Sequence, residues 1–141
     1  MSTIEIREFD ISDYDAVLRL WKEARLIIRP GDDLGDVRLK LQKDPDLFLV
    51  AMDRDALVGC VMGGWDGRRG WIYHLAVKPS YRRQGVGKAL LRELEVRLAK
   101  LGAKKVNAQV HRSNSVSLRF FKACGFDVHS DLVMIGKGLS D

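Results

Sequence analysis

Leu75-Ala76-Val77-Lys78-Pro79-Ser80-Tyr81-Arg82-Arg83-Gln84-Gly85-Val86-Gly87-Lys88-Ala89-Leu90-Leu91 is the stretch that decides the fold. It reads as an apolar strand, a short turn, a basic loop with two glycines, and a helix. Apolar residues recur at Val86, Ala89, Leu90, Leu94, Leu98 and Leu101, one buried face at helical spacing. Gly85 and Gly87 therefore stand where the helix begins. The first N–H groups of a helix have no partner inside it, and the helix dipole makes that end attractive to anions. Glycine removes the side chains that keep a phosphate away from those groups. Arg82, Arg83 and Lys88 add positive charge at the same point. Together these describe a pyrophosphate cradle.

Two better-known phosphate loops do not fit. A dinucleotide-binding fingerprint needs a third glycine where this chain has Leu90. A P-loop needs glycine at Arg82 and a hydroxyl residue after the lysine, where this chain has Ala89. The pattern that remains is Arg82-x-x-Gly85-x-Gly87.

Working outward, Trp71 to Val77 reads as the strand entering the loop, and Gly102 as the stop of the long helix. Before it, Leu47–Met52 and Ala56–Trp65 read as strands joined by Asp53-Arg54-Asp55, and Asp66 to Gly70 reads as a further hairpin turn. Earlier still, Thr3–Glu8 alternates as a half-buried strand. Ser12-x-x-Asp15 suits a capping box, and Tyr14, Val17, Leu18, Trp21 and Ala24 trace a helical face. A break with Pro30, Gly31 and Gly35 precedes a short helix on Leu34, Val37 and Leu41, ended by Pro45. After the long helix, Val106 to His111 alternates as a strand. Ser113 is placed to cap a last helix that runs to Ala123 or Cys124 and stops at Gly125. Phe126–His129 and Leu132–Gly136 read as a closing hairpin. The predicted order is β-α-α-β-β-β-α-β-α-β-β, an α/β (mixed α+β) fold whose central sheet of 6 to 7 strands is flanked by about four helices.

The chain of 141 residues is expected to form one domain over residues 1–141. With 46% hydrophobic and 30% charged residues it has the composition of a globular protein rather than a disordered one. Neither a secretion-type leader nor a membrane-length apolar run is evident, so a cytoplasmic protein is expected. Cys60 and Cys124 make neither a disulfide framework nor a zinc pattern, and no metal is expected. The net charge of +5 is uneven: residues 78–105 hold nine basic side chains against Glu93 and Glu95. Such a cluster implies an anionic partner, either a polyphosphate cofactor or nucleic acid.

The Arg82-x-x-Gly85-x-Gly87 pattern resembles the acetyl-CoA-binding motif of the GCN5-related N-acetyltransferase (GNAT) family. Asn114 followed by Phe120-Phe121-Lys122-Ala123-Cys124-Gly125-Phe126 is similar to that family's C-terminal signature. Arg29-Pro30, Leu47 to Ala51, Val61 to Gly64, Asp66-Gly67-x-Arg69-Gly70 and Gly136-Lys137 resemble the bacterial YpeA-type acetyltransferases more narrowly. The resemblance implies acetyl-CoA as cosubstrate. Arg82 and the N–H groups of Arg83, Gln84, Gly85, Val86, Gly87 and Lys88 would surround the pyrophosphate. Backbone edges of Leu75, Ala76 and Val77 would pair with the pantetheine arm where the strands Trp71–Val77 and Lys105–His111 splay apart. Asn114 and Phe121 would lie near the cofactor, and Asn114 also suits a helix start. Homodimers are common in the family.

The implied chemistry is acyl transfer from a thioester to an amine. Only the neutral amine has a free lone pair, so a base must take a proton. His74, or Tyr73 acting through water, is the candidate base; ideal alternation places the two on opposite sheet faces. Each also has a plain reading as a packing residue. The family usually has a tyrosine beside the departing sulfur, and this chain has Phe121 there. Three routes follow: the thiolate leaves unassisted, Tyr73 or Cys124 substitutes, or the protein binds a CoA ester as a catalytically weak sensor. Acceptor choice is assigned to the loop with Arg29, Asp32, Asp33 and Asp36 and to the turn with Trp65, Asp66, Arg68 and Arg69. A small nucleic-acid-binding module is the remaining alternative; its affinity would fall steeply with salt.

Overall fold

The computed structural model describes residues 3–139. Met1, Ser2, Ser140 and Asp141, the ends of the expected domain, lie outside the described residues. The chain divides into two compact units, the first through Gln109 and the second from Val110 onward.

The first unit is a mixed five-stranded sheet with helices on both faces. The strands are β1 (Ile4–Glu8), β2 (Phe48–Asp53), β3 (Ala56–Trp65), β4 (Gly70–Val77) and β5 (Val106–Ala108), and they lie side by side in chain order. The first four are antiparallel neighbours, and only β4 and β5 run parallel. That parallel step needs a crossover, which is the helix α3 (Val86–Leu101).

On one face sit α1 (Tyr14–Glu23) and α2 (Leu34–Lys43). Val17, Leu20 and Trp21 of α1 and Val37 of α2 bury against Phe48, Val50, Cys60, Met62 and Ala76. Phe9 stacks on Phe48 at 4.1 Å between ring centroids, and Trp21 lies beyond it. The cap ahead of α1 is Asp10 rather than Ser12. The Asp10 carboxylate accepts the Ser12 N–H at 2.9 Å and Asp13 accepts the Asp10 N–H at 2.8 Å, a reciprocal box that starts one short 3₁₀ turn earlier than expected.

On the other face lies α3, and glycines set its distance. A β-carbon on Gly59 would stand 2.9 Å from Val86 and 3.0 Å from Leu90; one on Gly63 would stand 2.5 Å from Leu94; one on Gly70 would stand 2.6 Å from Leu98. Those helix residues recur every fourth position, so one ridge of α3 lies in a groove floored by glycine. Arg97 of α3 reaches Glu8 at 2.7 Å and the Asp46 carbonyl at 3.0 Å, tying the helix to the first half of the sheet.

The second unit contains α4 (Ser115–Ala123). Its cap is Asn114, not Ser113: Asn114 Oδ1 accepts the Ser117 N–H at 3.1 Å. Phe121 is buried and meets Phe120 and Phe126 edge-on at 5.5 and 5.1 Å. Two expectations need correction. Strand β5 ends at Ala108 rather than His111, and neither Phe126–His129 nor Leu132–Gly136 forms a strand; the sheet has five strands rather than 6 to 7. Among the described residues, that apolar alternation lies in an exposed segment with a turn closed by the Leu132 N–H on the His129 carbonyl. Alternation supplies a face for a strand, but a strand also needs a neighbour's ladder.

Candidate active site

The loop between β4 and α3 is built in three steps. Lys78 N–H bonds the Val58 carbonyl at 2.8 Å, holding the end of β4 to β3. Pro79 then starts a turn of 3₁₀ helix through Tyr81. The Tyr81 hydroxyl donates to the Asp53 carboxylate at 2.6 Å, which anchors the loop to the end of β2. Thr3 donates to the same carboxylate. Sequence reading missed this anchor because Tyr81 and Asp53 stand on separate elements and match no local pattern.

The backbone then turns left-handed at Arg83 (φ 63°) and again at Gly85 (φ 83°). A left-handed arginine is unfavourable and is held here by the anchored loop. A β-carbon on Gly85 would meet nothing within 4 Å, so its requirement is conformational, not a matter of packing. The Ala89 N–H makes the first bond of α3, to the Gly85 carbonyl at 3.0 Å. The N–H groups of Val86, Gly87 and Lys88 precede it and are the open donors of a helix start. Alternating left-handed residues ahead of such a start make an anion-binding nest. Arg82, Arg83 and Lys88 lie in the same segment.

β4 leads into this loop with one edge released. Its pairing with β5 runs only from Gly70↔Val106 to Ile72↔Ala108. Leu75, Ala76 and Val77 are paired with β3 alone among the described strands, so their other edge carries no strand pairing there.

A β-bulge changes the faces of β4. Its register with β3 steps from Met62↔His74 to Gly63↔Ile72, so Tyr73 is an extra residue. Below the bulge, Gly63 and Gly70 face α3. Above it, His74 stands against Trp21, 4.8 Å between ring centroids, on the α1 face. Tyr73 packs over Gly64, whose added β-carbon would come within 2.8 Å of the phenol ring and 3.5 Å of Lys40 of α2. Tyr73 and His74 thus share one side of the sheet, which corrects the opposite faces that ideal alternation predicts. Pattern reading could not have found this, because a bulge exists only relative to its partner strand.

The surroundings separate the two side chains chemically. Burial, with the charges of Asp44 and Asp66, pushes the Tyr73 phenol above its ordinary value, so it stays protonated and can donate. His74 Nε2 lies 2.9 Å from Asp32 Oδ1, and 16% of the imidazole side chain remains exposed. Asp36 lies in the first turn of α2 rather than in the loop before it, and it, the cap Asp33 and the loop residue Asp32 are each engaged by the fold. Asp32 Oδ2 accepts the Arg29 N–H at 2.8 Å, Asp33 caps α2 through the Asp36 N–H, and Asp36 accepts the Gly31 N–H at 3.2 Å. The Arg29 carbonyl accepts the Asp32 N–H, and the Trp65 carbonyl accepts Lys43 at 2.7 Å. Asn114 and Phe121 belong to the second unit, as a helix cap and a ring in an aromatic cluster. Cys60 is no acid or nucleophile: burial pushes its thiol up to about 12. Among the described residues, no group of three or more His, Cys, Asp or Glu side chains is placed to hold a metal.

The model of the acetyltransferase (GNAT) family matches residues 14–126. The chain belongs to that family. Across 136 residues, 96% of both chains, it is 37% identical to an acetyltransferase of Sodalis glossinidius and 39% identical to one of Yersinia enterocolitica. It is also similar to the crystal structure of a PaiA N-acetyltransferase of Thermoplasma acidophilum in complex with coenzyme A. The TM-score is 0.79 at 26% identity, covering 91% of each chain. The protein is therefore an acyltransferase, an N-acetyltransferase of the GNAT family with acetyl-CoA as donor. No helix among its described residues is long and apolar enough to cross a membrane.

Proposed function

We propose that this GNAT protein transfers acetyl directly to a primary amine while donor and acceptor are bound together. The observation that carries this reading is the juxtaposition on β4 of a released edge at Leu75–Val77, an anion nest at Arg83–Lys88, and His74 one residue before that edge. The nest holds the pyrophosphate and the edge pairs with the pantetheine arm. His74 takes the proton of the amine as its nitrogen attacks the thioester carbonyl. A backbone N–H near Leu75 offsets the charge gained by the carbonyl oxygen. The protonated Tyr73 phenol is the candidate donor to the departing thiolate, the role that Phe121 lacks the hydroxyl to fill. Arg29, Asp33 and Trp65 border the acceptor.

The family match runs through both compact units, which supports one domain. A donor drawn from the acetyl-CoA pool supports a cytoplasmic location. The exposed apolar run Leu132, Val133, Met134 and Ile135 supports the homodimer implied by the family resemblance. Sedimentation at several concentrations tests that assembly.

Thermal unfolding with acetyl-CoA, CoA or ATP tests the donor site. At ~100 times its dissociation constant a ligand stabilises by about 2.7 kcal/mol. A shift with acetyl-CoA and CoA but not ATP is the expected result. No shift with any of them sinks the cradle, and turnover of no amine in a broad panel favours the weak-sensor reading.

A further inference from the structure

The Asp32–His74 pair is more than a loop contact. Asp32 is only 6% exposed, and its two carboxylate oxygens have different tasks. Oδ2 is held by the Arg29 N–H at 2.8 Å, while Oδ1 lies 2.9 Å from His74 Nε2. Its backbone is also fixed: the Tyr14 hydroxyl of α1 donates to the Asp32 carbonyl at 2.8 Å, and the Asp32 N–H bonds the Arg29 carbonyl at 3.1 Å. Trp21 of α1 supports the imidazole from one side, and Met62 is its neighbour across the sheet. A carboxylate is aimed at one ring nitrogen from an anchored loop, and the tilted indole of Trp21 backs the ring.

We propose that Asp32 is a positioning residue that fixes the tautomer of His74. An ionised carboxylate has only lone pairs to offer, so the neutral imidazole must carry its proton on Nε2. The lone pair is then on Nδ1, which becomes the accepting atom. This rests on the transferase reading above and adds to it the atom and the residue that sets it. In the step, the amine nitrogen forms the C–N bond and gives its proton to Nδ1, directly or through one water. The C–S bond breaks with its electron pair on sulfur, and the thiolate is protonated afterwards by Tyr73 or solvent. Nδ1 returns its proton to solvent, and Tyr73, where it has donated, regains one from solvent.

The geometry makes Asp32→Asn an informative variant. The Arg29 N–H keeps an oxygen acceptor beside it, so the new amide places its oxygen there and its NH₂ toward Nε2. An NH₂ group donates, which forces the proton of the ring onto Nδ1 and removes the lone pair from that atom.

The test is long-range proton–nitrogen correlation NMR of the nitrogen-15-labelled full chain, above the pH range where imidazole is charged. His74 is assigned with the His111→Gln and His129→Gln variants. The expected wild-type pattern is Nε2–H, changing to Nδ1–H in Asp32→Asn. A wild-type Nδ1–H form, or an unchanged tautomer in the variant, overturns the proposal. On an amine that the wild type acetylates (a polyamine, a lysine peptide or an aminoglycoside), kcat of Asp32→Asn is expected to fall by about 100-fold or more. Its KM for acetyl-CoA and its acetyl-CoA thermal shift are expected to hold. An unchanged kcat overturns the proposal too. Failure of the transferase reading itself shows separately, as a wild-type protein that acetyl-CoA does not stabilise.

Discussion

Gly85 and Phe121 are the residues whose replacement speaks most directly to function. A side chain at Gly85 meets nothing, but it adopts a left-handed backbone, which costs about 1–2 kcal/mol in an L-residue. Gly85→Asp also sets a carboxylate at the place proposed for the cofactor's phosphate. The expected outcome is a folded protein with a slightly lower melting temperature and no thermal shift with acetyl-CoA; a surviving shift places the phosphate elsewhere. Phe121 sits within van der Waals reach of Phe120 and Phe126, so Phe121→Tyr adds one hydroxyl to an aromatic cluster. Activity is expected to stay level or rise, and a large loss without unfolding refutes the idea that this chain merely lacks a donor there. The Arg82-x-x-Gly85-x-Gly87 loop was legible from the sequence because glycine, charge and helix start lie within seven residues. The Tyr81–Asp53 anchor was not, since 28 residues separate its partners.

At the scale of elements, α3 depends on the glycine groove beneath it. Gly63→Ala puts a methyl group 2.5 Å from Leu94 and 3.1 Å from the Leu47 carbonyl, both inside the core. Overpacking of this kind costs about 1–3 kcal/mol. Calorimetry is expected to show a melting temperature lower by roughly 2–4 °C per kcal/mol. The β3–β4 turn carries its own pH signature. The backbone N–H of Arg69, then the Trp71 indole, then the backbone N–H of Arg68 hold the Asp66 carboxyl down at about 2. A folded pKa below the unfolded value of ~3.9 means that this stabilisation is complete above that value and lost as pH falls toward 2. Asp66→Asn is expected to flatten that part of the acid-unfolding profile; an unchanged profile removes the turn from the acid response. Both turn and groove are visible in the sequence only as glycines and a short polar run. Their role appears once a helix is laid across them.

For the whole molecule, four of the nine basic residues between Lys78 and Lys105 have a definite place. Arg82, Arg83 and Lys88 stand at the nest, while Arg97 is engaged with Glu8. With the cofactor's pyrophosphate at the nest, as proposed, this charge is expected to make acetyl-CoA binding sensitive to ionic strength. The screening length falls from about 30 Å at 0.01 M salt to about 8 Å at 0.15 M. Affinity for acetyl-CoA, measured by titration calorimetry, is expected to weaken over that range while the backbone pairing of the pantetheine arm persists. An affinity indifferent to salt contradicts a cradle that relies on these three side chains.

The amino-acid sequence by itself determined the order of elements through α4, the span of α3 and the glycine-containing turn into it, because each depends on contacts within a few residues: apolar period, glycine placement, a helix start. Tertiary structure decided the rest. The side of the sheet that Tyr73 faces depends on a bulge, and a bulge is a relation between two strands. The partner of His74 lies 42 residues away on a loop whose aspartates all look alike in one dimension. Whether Phe126–His129 and Leu132–Gly136 become strands depends on a neighbouring ladder that alternation cannot supply. Local patterns specify which conformations the backbone prefers; the chemistry of a site depends on which side chains converge, and that convergence exists only in the folded chain.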